Sequence, residues 1–163
     1  MNKTTVRKGT PEDVPHLLHL IVELAIYEKE PDAVIVTTQQ LIEDGFGPHP
    51  LFGFFVAEHE GEIRGIALHY FKYSTWKGRC LFLEDIVVQE SYRNQGIGKL
   101  LFDQIVKFAA DHQCQRLEWQ VLKWNTPAIE FYRKKYNANI DGEWYNGRLN
   151  AEQINHIATD LLK

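Results

Sequence analysis

The fold class predicted from the sequence is mixed α/β (α+β): a mostly antiparallel central sheet, helices on both faces, and one parallel βαβ crossing. Three observations carry it. Two strand-like runs flank Glu60-Gly61, the pattern of an antiparallel hairpin. After residue 80 a strand, a helix and a strand alternate, which requires a parallel pair joined by a right-handed crossover. Val14, Leu17, Leu18, Ile21, Leu24 and Ala25 repeat with helical spacing and give a core-facing stripe. With 163 residues, 44% of them hydrophobic and 25% charged, the chain is read as a single domain over 1–163 with one packed core.

In chain order, Thr4 to Lys8 is a short strand. Thr10 caps the first helix, with Pro11 at its first position and Asp13 closing a capping-box-like pair. That helix runs to about Tyr27 and stops at Glu28-Lys29-Glu30-Pro31. Thr37 or Thr38 caps a short second helix, Gln39 to Asp44, which gives out in the Gly- and Pro-rich stretch from Gly45 to Pro50. Leu51 to Glu58 and Ile63 to Tyr73 form the hairpin. Cys80 to Gln89 is a strand apolar on both faces, expected at the centre of the sheet. Gly98 to Asp111 is a helix, Arg116 to Leu122 a strand parallel to the one before it, and Thr126-Pro127 opens a helix to about Lys135. Ile140 to Leu149 is expected to supply a last hairpin or strand pair. Asn150 with Gln153 caps a terminal helix that carries Ile154, Ile157, Ala158 and Leu161 on one face.

Composition narrows the function classes. A formal charge of −4 without a basic run speaks against nucleic acid as a partner. No apolar run approaches the roughly 20 residues of a membrane span, and Asn2 to Gly9 lacks the apolar stretch of a signal peptide. Cys80 and Cys114 do not make a disulfide framework, so the expected location is cytoplasmic. The seven histidines show no metal-ligand spacing, and no metal is expected.

The chemistry concentrates between Leu81 and Phe108. A buried strand hands over to a helix through Arg93-Asn94-Gln95-Gly96-Ile97-Gly98. Glycine at 96 and 98 lets an oxyanion approach backbone N–H groups at a helix N-terminus, while Arg93 and Lys99 add positive charge. The turn is neither a P-loop nor a dinucleotide fingerprint. By itself it is an anion cradle or a helix start with no ligand.

Arg93-x-x-Gly96-x-Gly98 after Leu-Glu-Asp-Ile-Val-Val resembles the acetyl-CoA pyrophosphate loop of the GNAT N-acetyltransferase superfamily. The likeness covers nearly the whole chain and is nearest to the diamine (spermidine/spermine and thialysine) acetyltransferases. Its other segments are Glu23 to Glu28, Leu41 to Gly47, Trp76 to Gly78, Leu83-Glu84-Asp85 and Trp124 to Tyr132. The resemblance implies a GNAT-like sheet splayed around acetyl-CoA, the pantetheine along Ile86, Val87 and Val88, and the pyrophosphate on the amides of Asn94, Gln95, Gly96, Ile97, Gly98 and Lys99. It places Asn125 near the thioester end of the cofactor, and Lys134 or Lys135 at the nucleotide phosphates.

The same resemblance implies that Tyr132 is the general acid for the departing thiolate. Glu84 becomes the base, acting through ordered water, because an alkylamine of pKa ~10.4 must lose a proton before it attacks. Glu84 and Asp85 are neighbours on a strand, so their side chains point to opposite faces unless a bulge intervenes, and one shared task is not expected of them. Asp85 is assigned a place near the substrate or a structural hydrogen bond. Glu28 beside Tyr27 resembles the carboxylate that holds the far ammonium of a polyamine, and Trp76 is a wall for a cationic chain, with Trp144 a similar candidate. Ser74 stands where the polyamine enzymes carry an acid, which points toward a shorter or thialysine-like amine. The expected function is acetyl-CoA-dependent N-acetyl transfer to a small cationic amine in a ternary complex. The alternatives are a protein or aminoglycoside amine, or a non-catalytic acetyl-CoA-binding module. A homodimer is expected on resemblance.

Overall fold

The computed structural model describes residues 4–161, which divide into two compact units, one ending at Gln120 and the other beginning at Val121. In the first unit β1 (Thr4–Lys8), β2 (Gly53–His59), β3 (Glu62–Ser74), β4 (Gly78–Val88) and β5 (Arg116–Trp119) form a sheet in the order β1-β2-β3-β4-β5. The first four strands pair antiparallel and β4–β5 is the parallel pair, the layout expected from the sequence. β3 takes the middle position, so β4 is interior but not central as expected. The hairpin turns on Glu60 and Gly61, both at positive φ (56° and 81°), a turn whose backbone twist matches the flanking strands.

Helices cover both faces. α1 (Val14–Tyr27) follows a single 3₁₀ turn, Pro11–Asp13, where the Thr10 N–H donates to Asp13 Oδ2 at 2.8 Å. Arg7 on β1 donates to both Asp13 oxygens (2.6 and 3.0 Å) and to Glu58 Oε1 (2.7 Å), fastening the edge strand to the helix start and to β2. α2 (Thr38–Phe46) is capped by Thr37, whose Oγ1 accepts from Gln40 N. Val14, Leu17 and Leu20 of α1 and Leu41 of α2 pack on Phe54, Val56, Ile66, Leu68 and Val87. Because strand side chains alternate, Phe55 turns the other way, and its ring meets Phe108 of α3 (Ile97–Asp111) at 5.7 Å. Leu101, Phe102 and Ile105 of α3 are buried there, and Phe102 meets the Trp119 ring of β5 edge-on at 5.3 Å.

β4 and β3 do not pair evenly. Leu68 is opposite Asp85 and His69 is opposite Leu83, so Glu84 has no partner residue and forms a β-bulge. On the other side β4 pairs with β5 only from Cys80 to Leu83, and β5 ends at Trp119 rather than Leu122. Among the described residues no strand lies against that edge of β4 from Glu84 to Val88.

The second unit holds α4 (Thr126–Tyr136) and α5 (Ala151–Asp160). Ile140 to Leu149, expected as strands, are irregular throughout and mostly exposed. The α5 capping box is present as read, with Asn150 N donating to Gln153 Oε1 and Gln153 N to Asn150 Oδ1, both at 2.9 Å.

Candidate active site

The bulge decides which side chains can meet. A regular strand would turn Glu84 and Asp85 to opposite faces, and β4 carries the bulge that is the exception to this rule. The extra residue lets both carboxylates face the α1 side of the sheet. Asp85 sits across from Leu68, which packs under α1, and Glu84 lies against the phenol of Tyr70, a ring stacked on Phe82 at 5.2 Å. Burial, and then the neighbouring charges of Glu84 and Glu28, push the Asp85 carboxyl up to about 6. Burial also raises Glu28, the residue just after α1, above the usual carboxylate range. The Tyr70 phenol is raised by burial and by the Glu84 carboxylate.

Arg93 closes one end of this group. Its Nε donates to Val88 O at 3.0 Å, and its guanidinium lies 4.9 Å from the centroid of the Tyr27 ring, adjacent to Glu28. The main chain of Arg93 is extended, Asn94 has φ 62°, and Gly96 takes the left-handed conformation (φ 84°) as the residue before α3. A Cβ at Gly96 would meet nothing within 4 Å, and one at Gly98 would meet only Val88 Cγ2 at 3.7 Å. The open approach leads to the first-turn N–H groups of α3, which have no acceptor within the helix, and to the positive end of its dipole. Lys99 Nζ pairs with Asp103 at 2.5 Å.

Trp76 lies at the β3–β4 hairpin tip with its ring 85% exposed. Ser74 holds that tip, its Oγ accepting from the backbone N–H of Trp76 and of Lys77 at 3.2 Å each. In the second unit Asn125 caps α4, its Oδ1 accepting from Ala128 N at 3.3 Å. Tyr132 is only 5% exposed, and burial drives its phenol well above the usual tyrosine range. Lys134 pairs with Glu130 at 2.5 Å, and Trp144 is 83% exposed in the irregular segment. Tyr70 and the Arg93–Tyr27 contact were not anticipated from the sequence, because both depend on strand register and on where α1 ends. Among the described residues no group of His, Cys, Asp and Glu could hold a metal ion.

A five-stranded sheet whose interior strand loses a neighbour past a bulge, then runs through a glycine turn into a helix, is a fold with solved counterparts. A solved aminoglycoside N-acetyltransferase in complex with CoA matches it with TM-score 0.71 at 17% identity, over 91% of this chain and 97% of that one. The Acetyltransferase (GNAT) family model matches residues 16–137, and the chain belongs to that family. It is 41% identical to a thialysine N-epsilon-acetyltransferase of Bos taurus, covering 94% of this chain and 96% of that protein. A second thialysine N-epsilon-acetyltransferase, from Sus scrofa, is 36% identical over 97% of this chain and 99% of its own. No described helix is long and apolar enough to cross a membrane.

Proposed function

We propose that the protein transfers an acetyl group from acetyl-CoA to a primary amine of a small cationic substrate, by direct attack in a ternary complex. The observation that carries this is the bulge at Glu84, beside which Asp85 feels the charges of both Glu84 and Glu28 next to an unpaired strand edge. The edge and the glycine turn fit the donor. The backbone of Ile86, Val87 and Val88 has polar groups to offer pantetheine amides. The amides from Asn94 to Lys99, entered over Gly96 and Gly98, suit a pyrophosphate, with Arg93 at their start. Asn125 and Lys134 are assigned to the cofactor by their sequence motif. Acetyl-CoA, when bound, supplies the acetyl group as an activated thioester.

The amine arrives protonated, and the carboxylates of Glu28 and Asp85 attract it with Tyr27 alongside. Trp76 offers an exposed ring face to an alkylammonium, worth about 0.5–1 kcal/mol at a wet site. Glu84 is the exposed carboxylate and takes the amine proton through water, with the Tyr70 phenol fixing its direction. Asp85, at about 6, carries a proton part of the time near neutral pH and so tolerates a second carboxylate beside it. Tyr132 keeps its proton at Oη under all physiological conditions, as a general acid for a leaving thiolate must until the moment of transfer. Ser74 adds no charge near Trp76, which favours a thialysine-like amino acid or a diamine over a long polyamine. The resemblance further supports a cytoplasmic homodimer, one functional domain per chain, and light scattering tests the dimer.

CoA release with acetyl-CoA and a panel of thialysine, diamines, polyamines, aminoglycosides and peptides tests the proposal. The small amines are expected to turn over. Tight acetyl-CoA binding with no product from any acceptor would overturn it. Tyr132→Phe is expected to lower kcat roughly 10²- to 10⁴-fold, and an unchanged rate would remove Tyr132 from the general-acid role.

A further inference from the structure

At the Gly53 end of β2, between α2 and α3, lies a half-open cavity of about 170 Å³, bordered by Phe46, Phe54, Phe55, His69, Phe108 and Lys8. The volume exceeds the roughly 150 Å³ in which an apolar protein cavity accommodates benzene. The His69 imidazole forms its polar wall. It is 6% exposed, stacked on Phe55 at 5.3 Å and tilted against Phe108 at 4.4 Å. Among the described residues neither ring nitrogen has a hydrogen-bond partner, and neither is a sealed polar atom, so the ring edge is reachable from the cavity. Burial, with the His112 ring and the Lys8 ammonium as further causes, lowers His69 to about 4. At neutral pH the ring therefore offers one N–H donor and one acceptor.

Two further features open this wall to a ligand. Gly53 faces the ring edge, where an added Cβ would stand 3.0 Å from Cε1 and 3.3 Å from Nε2 of His69. The absence of a side chain at 53 leaves that edge clear. Lys8 is exposed at the border and forms no ion pair with any described residue. Aromatic walls, a neutral hydrogen-bonding ring and an unpaired cation at the rim together specify a flat apolar body that carries a negative group.

We propose that this cavity is a binding site for a compact aromatic or similarly flat monocarboxylate, held by stacking against Phe55 and Phe108, a hydrogen bond to His69 and the charge of Lys8. It is separate from the proposed acetyl-transfer site, its lining including none of Glu28, Glu84, Asp85 and Arg93. The experiment uses the full chain with ¹⁵N-labelled histidine, sodium benzoate as the probe and benzyl alcohol as its uncharged counterpart, followed by imidazole NMR. Benzoate is expected to shift the His69 ring signals saturably and to leave His16 and His19 unmoved. Gly53→Ala, with folding checked by its thermal melt, is expected to weaken benzoate by at least ~10-fold. Lys8→Gln, a surface change that does not threaten folding, should weaken benzoate about 2- to 5-fold and leave benzyl alcohol unaffected. An unmoved His69, or equal benzoate affinity in wild type, Lys8→Gln and a folded Gly53→Ala, would overturn the proposal. His69 shifts that arise only because benzoate alters the association of chains, read by light scattering during the titration, would overturn it as well.

Discussion

Asp85 and His69 lie on opposite faces of the same sheet, on β4 and on its neighbour β3, and each is enclosed by protein. Desolvation disfavours the charged form of either group, so it raises the acid to about 6 and lowers the base to about 4. Their surroundings then diverge. Asp85 has the carboxylates of Glu84 and Glu28 for company, groups that a cationic ligand would satisfy. His69 has Phe55, Phe108 and His112 around it, a setting in which neutrality is the stable resting condition. One face is tense until a cation arrives, and the other is at rest. One irregularity lies beside both, since the shift in β3–β4 pairing falls between Leu68 and His69 and opposite Glu84.

The most severe way to break this symmetry is to empty the aromatic side. Phe55→Ala removes a ring that is 3% exposed and should cost about 3–5 kcal/mol in a urea denaturation. Glu84→Gln, on an exposed bulge residue, should stay within ~0.5 kcal/mol in the same measurement.

A subtler test follows stability against pH. Between pH 6.5 and about 4 the unfolded chain binds a proton at His69 that the folded chain refuses, so this residue makes stability fall as pH falls. Between about 6 and 3.8 the folded chain holds a proton on Asp85 that the unfolded chain has lost, so this one makes stability rise as pH falls. Each shift of about 2 pK units corresponds to about 3 kcal/mol at most, and the two largely offset. His69→Gln should therefore expose a gain in stability on acidification, and Asp85→Asn a loss, in paired denaturation series from pH 7 to 4. Parallel curves for the two variants would show that the faces do not oppose one another. The smallest expected effect is at the rim of the charged face. Ser74→Asp should improve spermidine kcat/KM about 2- to 5-fold, the worth of one exposed charge, while its carboxylate still accepts from the Trp76 and Lys77 amides.

Much of this architecture was legible because its signals are local. The cap at Thr37 or Thr38, the Asn150–Gln153 pair, the Glu60-Gly61 turn and the strand–turn–helix at 93–98 each announce themselves within a few residues. The bulge does not. The residues Leu83-Glu84-Asp85 look the same whether or not β3 skips one of them, and only register decides which face a carboxylate serves. The failed strands at Ile140 to Leu149 have the same origin. Trp144 and Tyr145 have β-favouring side chains, yet a strand forms only where a partner and a buried face are offered, and both rings are exposed. The motifs name the site residues only as positions along the chain. What they touch, as with Tyr70 against Glu84 or Arg93 over Tyr27, needed the folded chain.

The bulge also has a meaning for chain length. Residue 84 is one that the β3–β4 ladder does not count, since Leu83 and Asp85 already pair with consecutive partners. It is thus a place in an interior strand where the chain can shorten by one residue with every pairing kept. A deletion of Glu84 should leave a folded, cooperative protein, seen as an unshifted urea transition slope, and abolish acetyl transfer. The sheet and its chemistry are then inherited separately: a lineage could lose the reaction through one missing codon and keep the fold as a scaffold for other uses.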